Sequence, residues 1–384
     1  MIYLDYMSTT PVDPRVVDEM QTCLDFQGDF ANPASMHAMG QQARARIITA
    51  KQQVAALIHA TPEEIIWTSG ATESINLAIK GVAQFYQRQG KHIITAQTEH
   101  KATLETCHFL ASQGFEVTYL APEKTGLIDH QKVKNAIRKD TILCSFMHVN
   151  NETGVIQDIE TIGNILREHG VWFHVDAVQG VGKLPINVKT QPIDLLSFSA
   201  HKIYGPKGIG ALYVRRNPRV QLVPQIHGGD ADNFQRAGTL PTHQIVGMGK
   251  ACEIMLQEGQ AEMVRFTELR DQLWKNLSRL PGITLNGDKH HRIGNCLNIQ
   301  INQINPAHFL KALSMLAFAT GSACNAADPA PSHVLMAMGL SKEQAQRSFR
   351  LSVGRLTTLE DVNTASEDIR LYMLKTKKTD LREK

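Results

Sequence analysis

One lysine of this chain stands among residues that suit covalent chemistry. Lys202 lies in the stretch SFSAHKIYGPKGIGALYV at 197–214, which combines hydroxyl and imidazole side chains with a glycine-rich turn. A lysine that forms a Schiff base needs neighbours that hold an anionic cofactor and a backbone that the cofactor can approach. Ser199, His201 and the glycines of 205–210 could supply both. The alternative is an ordinary surface lysine.

A second stretch predicts an anion-binding helix start. The sequence SGATES at 69–74 runs straight into a helical pattern of apolar residues. Free N–H groups and the positive dipole end of such a helix bind phosphate, and the Thr72 hydroxyl adds a donor. A simple helix cap is the alternative. A Walker-type nucleotide site is excluded, because the chain has no G-x-x-x-x-G-K-[ST] motif.

Four more polar residues follow apolar runs. Asp176 could pair with the ring nitrogen of pyridoxal phosphate and keep it protonated, while Gln179 could donate to the ring oxygen. His100 could lie against the flat ring and move protons near neutral pH. Asn151 could contact the cofactor or a substrate carboxylate. Each also has a structural alternative, namely a helix cap, a surface amide, a structural histidine and a turn residue.

These residues need a scaffold that brings strand ends together. Between residues 64 and 214, apolar runs alternate with helical stretches, which indicates a parallel sheet covered on both faces. Ligands of such sheets bind at the carboxyl ends of the strands. The runs lie at 65–67, 92–94, 117–120, 142–146, 171–175 and 195–196, and the polar groups that follow them lie at 68–72, 99–100, 150–152, Asp176 and 199–202. The sequence therefore predicts an α/β fold with a mostly parallel central sheet.

The pattern changes near residue 260. A charged helical stretch at 264–277 is followed by short strands, with no low-complexity linker. This change predicts a second, smaller α+β domain.

Composition narrows the class of protein. The 40 basic and 37 acidic residues leave a formal charge of +3, which gives no reason to expect a nucleic-acid partner. No apolar run approaches the roughly 20 residues of a membrane helix, and no signal-peptide pattern opens the chain, so we expect a cytosolic protein. The six cysteines show no C-x-x-C pair or zinc-like histidine spacing, so we expect free thiols and no metal site.

Motifs along nearly the whole chain resemble the cysteine desulfurases of the NifS/IscS type, and among them the housekeeping enzymes of iron–sulfur cluster assembly. The motifs lie at 3–6, 9–15, 32–35, 69–74, 98–101, 147–154, 174–183, 197–214, 236–249, 321–324 and 350–355. The resemblance implies a class V aminotransferase fold, which is fold type I of the pyridoxal phosphate enzymes. It also implies pyridoxal 5′-phosphate as cofactor, a large domain at 16–259, and a small domain formed by 1–15 and 260–384.

The resemblance gives roles to the residues around the cofactor ring. Lys202 matches the lysine that carries the cofactor and then acts as base. His100 matches the histidine stacked on the ring. Asp176 matches the partner of the ring nitrogen, and Gln179 matches the contact to the phenolic oxygen.

The resemblance also covers phosphate, substrate and subunit contacts. Thr239 matches a threonine that reaches the phosphate of the neighbouring subunit, which implies a homodimer with shared sites. Asn151 and Arg350 match the groups that hold the substrate carboxylate, a task that suits the arginine fork. The residues that match the phosphate-binding cup of the family are Ala71, Thr72, Ser199 and His201.

Cys324 distinguishes this chemistry from other uses of the cofactor. It lies in TGSACNAADPAPS at 320–332, whose small, turn-forming residues predict a mobile loop. A free thiol is a strong nucleophile, so Cys324 could act in catalysis. The alternative is that Cys324 is a small buried residue of the core. The resemblance implies conversion of L-cysteine to L-alanine with a persulfide on Cys324. Its sulfur would go to an acceptor protein for iron–sulfur clusters, with tRNA thiolation as a further use.

Two segments depart from the family pattern. The stretch GGDADNFQ at 228–235 replaces a glycine-rich run near the presumed dimer edge, which leaves substrate preference open. The chain ends at Lys384 without the extra tail by which close relatives engage the cluster scaffold, so docking to such a scaffold is left open.

Other functions of the same fold are selenocysteine cleavage, another class V aminotransferase reaction, or a non-catalytic relative that serves as a binding subunit. The intact set of Lys202, Asp176, His100, Cys324 and Arg350 argues against the non-catalytic relative.

Overall fold

The computed structural model describes residues 1–229, 235–320 and 331–380, with only the backbone at 376–380. The strands in this part of the chain are β1 Ile2–Tyr3, β2 Ile65–Thr68, β3 His92–Ala96, β4 Glu116–Leu120, β5 Thr141–Met147, β6 Trp172–Asp176, β7 Leu195–Ser199, β8 Gly210–Val214, β9 Ile283–Leu285, β10 Cys296–Ile301, β11 Leu316–Ala317, β12 Ala319–Thr320 and β13 Ser348–Ser352. The α-helices are α1 Pro14–Gln21, α2 Ala38–Leu57, α3 Ala71–Tyr86, α4 Lys101–Ser112, α5 His130–Ala136, α6 Ile159–Glu168, α7 Thr242–Leu277, α8 Pro306–Ala312, α9 His333–Ala337, α10 Lys342–Gln346 and α11 Leu359–Asp380. None of the helices described is long and apolar enough to cross a bilayer.

A seven-stranded sheet forms the centre of the fold. Its strand order is β2-β8-β7-β6-β5-β3-β4, and every neighbouring pair from β7 to β4 is parallel. Strand β8 runs antiparallel to both of its neighbours. Side chains of β7 alternate between two hydrophobic clusters, with Leu196 and Phe198 on one face and Leu195 on the other. The predicted mostly parallel sheet, covered on both faces, is confirmed.

A second sheet has its own hydrophobic core. Strands β12, β13, β10 and β9 pair antiparallel in that order. Beneath them, the rings of Phe309 and Phe349 pack with centroids 4.7 Å apart. The smaller α+β part of the predicted fold is therefore confirmed.

Helix α7 is much longer than the sequence pattern indicated. We predicted a helix at 264–277, whereas α7 begins at Thr242. Its first half packs into the cluster of the large sheet through residues such as Met248, and its second half packs into the cluster of the small sheet through Leu273. The division of the chain at 259 and 260 stays a prediction.

The N-terminal segment ties the two sheets together. Ser352 at the end of β13 donates its N–H to Leu4 O at 2.7 Å, and its hydroxyl oxygen accepts from Met7 N at 2.9 Å. Further along, Thr10 N donates to His201 O at 3.0 Å. The Thr10 hydroxyl also accepts from Tyr204 N at 2.9 Å. The segment therefore fixes the turn that follows β7.

Two backbones approach closely where β8 begins. Gly210 lies opposite both Thr68 and Ser199 in the sheet. A Cβ atom at position 210 would stand 2.7 Å from the Cα of Gly70 and 2.7 Å from the carbonyl oxygen of Phe198. Gly70 itself has φ 152°, in the region that favours glycine. Both glycines are thus needed to place the start of α3.

Gly210→Ala should lower the free energy of unfolding by about 1–3 kcal/mol, because the new methyl group meets backbone atoms that cannot rotate away. Urea denaturation followed by tryptophan fluorescence measures the change. Gly229→Ala is the matched control, because a Cβ atom there meets nothing within 4 Å. Equal stability of the two variants would show that the close approach does not constrain the fold.

Candidate active site

A cavity of about 880 Å³ opens at the carboxyl ends of the parallel strands, beside the small sheet. Ten of the predicted site residues line it: Ala71, Thr72, His100, Asn151, Asp176, Gln179, Ser199, His201, Lys202 and Arg350. Thr239 does not line this cavity and is exposed on the surface. Cys324 lies in the segment 321–330, outside the described residues, but Thr320 and Pro331 on either side of that segment line the cavity.

The start of α3 forms one end of the cavity. Its N-cap is Gly70, which has no side chain to cap the first N–H groups of the helix. Thr72 and Ser199 bring hydroxyl groups to the same cavity. The carboxylate of Glu73, in the first helical turn, is paired with the Arg236 guanidinium at 2.9 Å. This end therefore offers donors to an anion, and the nearby negative charge is neutralised.

His201 borders the same end of the cavity. Its Nδ1 lies 3.1 Å from the Thr9 hydroxyl. Burial lowers the pKa of His201 to about 4, and the positive charge of Lys202 acts in the same direction. The ring is therefore a neutral hydrogen-bonding group at physiological pH.

Lys202 is held by backbone carbonyls. Its Nζ donates to Met7 O at 2.8 Å and to Ser8 O at 2.6 Å. Burial lowers the pKa of Lys202 to about 8, and the nearby charge of Arg350 adds to this effect. Loss of one proton near neutral pH turns such an amine into a nucleophile and a base.

Asp176 ends β6 and is 5% exposed. Val178 N donates to its Oδ1 at 3.0 Å, which fixes the carboxyl group. Burial raises the pKa of Asp176 to about 6, against the opposing influence of Lys202. A cationic group in the cavity would favour the ionised carboxylate.

His100 is the N-cap of α4. Its Nδ1 accepts a hydrogen bond from Ala102 N at 3.1 Å, so the neutral ring carries its proton on Nε2. Burial lowers the pKa of His100, and Lys202 and His333 contribute to the shift. The neutral ring is suited to lie against an aromatic ligand.

Arg350 and Asn151 leave polar atoms for a ligand. The Nη1 of Arg350 donates to Asn151 O at 2.6 Å, while Nη2 donates to Asp5 Oδ1 at 2.7 Å and to the Ser8 hydroxyl at 2.6 Å. Arg350 Nε and Asn151 Oδ1 are buried and have no partner among the residues that the structure describes. Buried polar atoms without partners are costly, so a polar ligand would stabilise this wall.

Three contributors to the site had no role in the sequence-based prediction. Met7 and Ser8 act through backbone carbonyls, which no residue type reveals. Glu152 lines the cavity and accepts a hydrogen bond from the Ser332 hydroxyl. Burial raises the pKa of Glu152 to about 7. It belongs to the polar stretch 150–152 that follows β5, which the strand-end pattern had marked without giving Glu152 a role of its own.

Comparison with known proteins matches both sequence and fold. The family model of the class-V aminotransferases matches residues 2–364. A cysteine desulfurase IscS from Pectobacterium carotovorum is 54% identical over 370 residues, covering 96% of this chain and 92% of the relative. The solved structure of a NifS-like protein superposes with a TM-score of 0.90 at 34% identity, covering 97% and 99% of the two chains. SspA in complex with cysteine superposes with a TM-score of 0.83 at 40% identity, covering 93% and 100%.

In the cofactor-free protein, Lys202 should react with acetic anhydride with a midpoint near pH 8, because its amine loses a proton there. Mass spectrometry of labelled peptides over a range of pH measures the midpoint. An ordinary exposed lysine loses its proton near pH 10.4 and provides the comparison within the same digest. A midpoint for Lys202 above about pH 10 would contradict the effect of burial on its amine.

Proposed function

The chain belongs to the class-V aminotransferase family and, within it, to the cysteine desulfurases, and we propose that it converts L-cysteine to L-alanine with pyridoxal 5′-phosphate as its cofactor. The resemblance read from the sequence motifs is thereby confirmed as to family, as is fold type I. One observation carries the proposal. A single cavity gathers an uncapped helix start, a buried carboxyl group, a lysine of lowered pKa and an arginine with a free donor.

The residues present fit the cofactor. The α3 start, with Thr72, Ser199 and His201, offers donors for a phosphate group. Asp176 would hold a proton on the ring nitrogen, and His100 would lie against the ring. When bound, pyridoxal phosphate supplies an electron sink for charge that develops on the α-carbon of an amino acid.

Substrate binding falls to Arg350 and Asn151. The free Nε–H of Arg350 would donate to the carboxylate of L-cysteine. From Asn151 the amide N–H would be the donor, because the amide oxygen cannot bind a carboxylate. Asp5 keeps the guanidinium fixed through its 2.7 Å contact. A rigid donor of this kind orients the amino acid with little loss of entropy on binding.

Proton movement falls to Lys202 and His100. Lys202 would hold the cofactor covalently, and its amine, once free, would remove the α-proton of the substrate. A pKa near 8 lets that amine accept and return a proton at moderate cost. His100, which borders the cavity, would serve proton transfers there.

Cys324 takes the sulfur. Its thiolate forms a bond to the sulfur of L-cysteine while the carbon–sulfur bond breaks, so L-cysteine and the enzyme thiol give L-alanine and an enzyme persulfide. Carbon keeps the electron pair and gains a proton, and the sulfur is oxidised to the persulfide level. The outer sulfur of the persulfide passes to an acceptor protein for iron–sulfur clusters. The cavity positions of Thr320 and Pro331, which flank the segment 321–330, support this role.

The same proposal extends to assembly and compartment. Thr239 is exposed and lies outside the cavity of its own chain, which supports a role at the phosphate of a second copy in a homodimer. The five cysteines that the structure describes are buried free thiols, which supports a reducing, cytoplasmic setting.

Asp176→Ala should keep the fold and lower kcat for alanine formation by about a hundredfold or more, because roughly 3 kcal/mol of electrostatic stabilisation is lost. Alanine quantified by chromatography gives the rate, and circular dichroism reports on the fold. Asp18→Ala, at an exposed position of α1, is the matched control and should leave the rate unchanged. Near-normal turnover by Asp176→Ala would reject the role of this carboxylate.

Cys324→Ser should still bind the cofactor and L-cysteine but form no protein persulfide. The experiment adds L-cysteine, quantifies alanine and locates the extra sulfur by mass spectrometry. Cys23→Ser, which changes a buried cysteine in the turn after α1, should keep persulfide formation. A full yield of persulfide on a different cysteine would reject Cys324 as the acceptor, and transamination without any persulfide would reject the proposed reaction.

A further inference from the structure

A second lysine stands behind the cavity wall. Lys183 follows β6 in the turn that carries Gln179, and its Nζ donates to Gln179 Oε1 at 2.9 Å. On the other side of the same amide, Gln179 Nε2 donates to Met7 O at 2.9 Å. That carbonyl also accepts from Lys202 Nζ. Three hydrogen bonds thus connect the two lysines through one amide and one carbonyl.

These contacts determine which way the Gln179 amide faces. An ammonium group can only donate and a backbone carbonyl can only accept, so both partners require the same orientation of oxygen and nitrogen. The amide nitrogen has two N–H groups, of which one is used by Met7 O. Because Gln179 lines the cavity, the second N–H is available to a ligand there.

The charges around Lys183 are mostly of its own sign. Lys202 and Arg350 both act against its protonation, while the Cys296 thiol on β10 acts in its favour. Burial is the largest influence and lowers the pKa of Lys183 to about 7. Around Lys202, Arg350 is balanced by the carboxyl groups of Asp5 and Asp176. An anion in the cavity would therefore favour the protonated form of both lysines.

We propose that Lys183 is a positioning residue that fixes the Gln179 amide with its N–H toward the cavity and adds positive potential at the phenolic oxygen of the cofactor. The proposal rests on the proposed function, because it requires pyridoxal phosphate in this cavity. Lys183 would act on the cofactor through Gln179, which lines the cavity, so its effect would be on the protonation of the bound cofactor and its lysine link.

The test is a pH titration of the visible absorbance of the holoenzyme without substrate. In Lys183→Met, the midpoint should move to higher pH by about half a pH unit or more, because loss of a cation and of a donor both favour the protonated form. Lys183→Arg keeps the charge and a donor and should stay close to the wild-type midpoint. Lys189→Met removes an exposed lysine from the same segment between β6 and β7 and should also leave the midpoint unchanged.

Lys183→Gln is the second variant, because it removes the charge with less disturbance of the buried site than Met. If Lys183→Met does not fold, the same upward movement is expected in Lys183→Gln. Suppose that the wild-type protein holds the cofactor and forms alanine. If the midpoint of its absorbance titration then equals that of the folded uncharged variant, this proposal alone is overturned. A wild-type protein without cofactor or alanine formation overturns the proposed function and this inference together.

Discussion

The binding of the Lys202 amine by two backbone carbonyls of the N-terminal segment is the interaction on which the site depends. Met7 O and Ser8 O both accept from Nζ, and they can do so only because this segment is held at both ends. Ser352 of the small sheet binds one end, and the turn after β7 binds the other. The two sheets are thus joined at the point where the reactive amine lies, and any shift between them would move its acceptors.

Burial around this point shifts the pKa values of acidic and basic groups in opposite directions. It lowers the pKa of Lys202 and Lys183 and raises the pKa of Asp176 and Glu152, so all four groups titrate closer to neutral pH than they would in water. Lys202 and Lys183, with Arg350 beside them, suit a ligand that brings a phosphate and a carboxylate. Asp5 and Asp176 partly compensate for the positive charge around Lys202, and the ligand charges would add to this compensation.

The large sheet and ten of the residues that line the cavity could be predicted from the sequence, and most of them follow from the position of strand ends. Parallel strands put their carboxyl ends at one edge, so polar residues that follow apolar runs, such as Asp176 and Ser199, come together. The carbonyls of Met7 and Ser8 could not be predicted, since any residue type supplies a carbonyl. The true start of α7 was missed because its first half is buried among apolar partners and lacks the charged periodic pattern of 264–277. The role of Thr239 stays a prediction, because it concerns a second copy of the chain.

Helix α7 has a mechanical consequence for the enzyme. Its 36 residues form a rod about 54 Å long that belongs to both hydrophobic cores. At the junction, Gly259 lets this rod lie against Gly182, in the turn that holds Gln179. Because α7 is one continuous hydrogen-bonded helix, it couples the two cores, and a kink within it would change how they pack against each other. A break in α7 near Gly259 would therefore disturb both hydrophobic cores and the turn that carries Gln179 together.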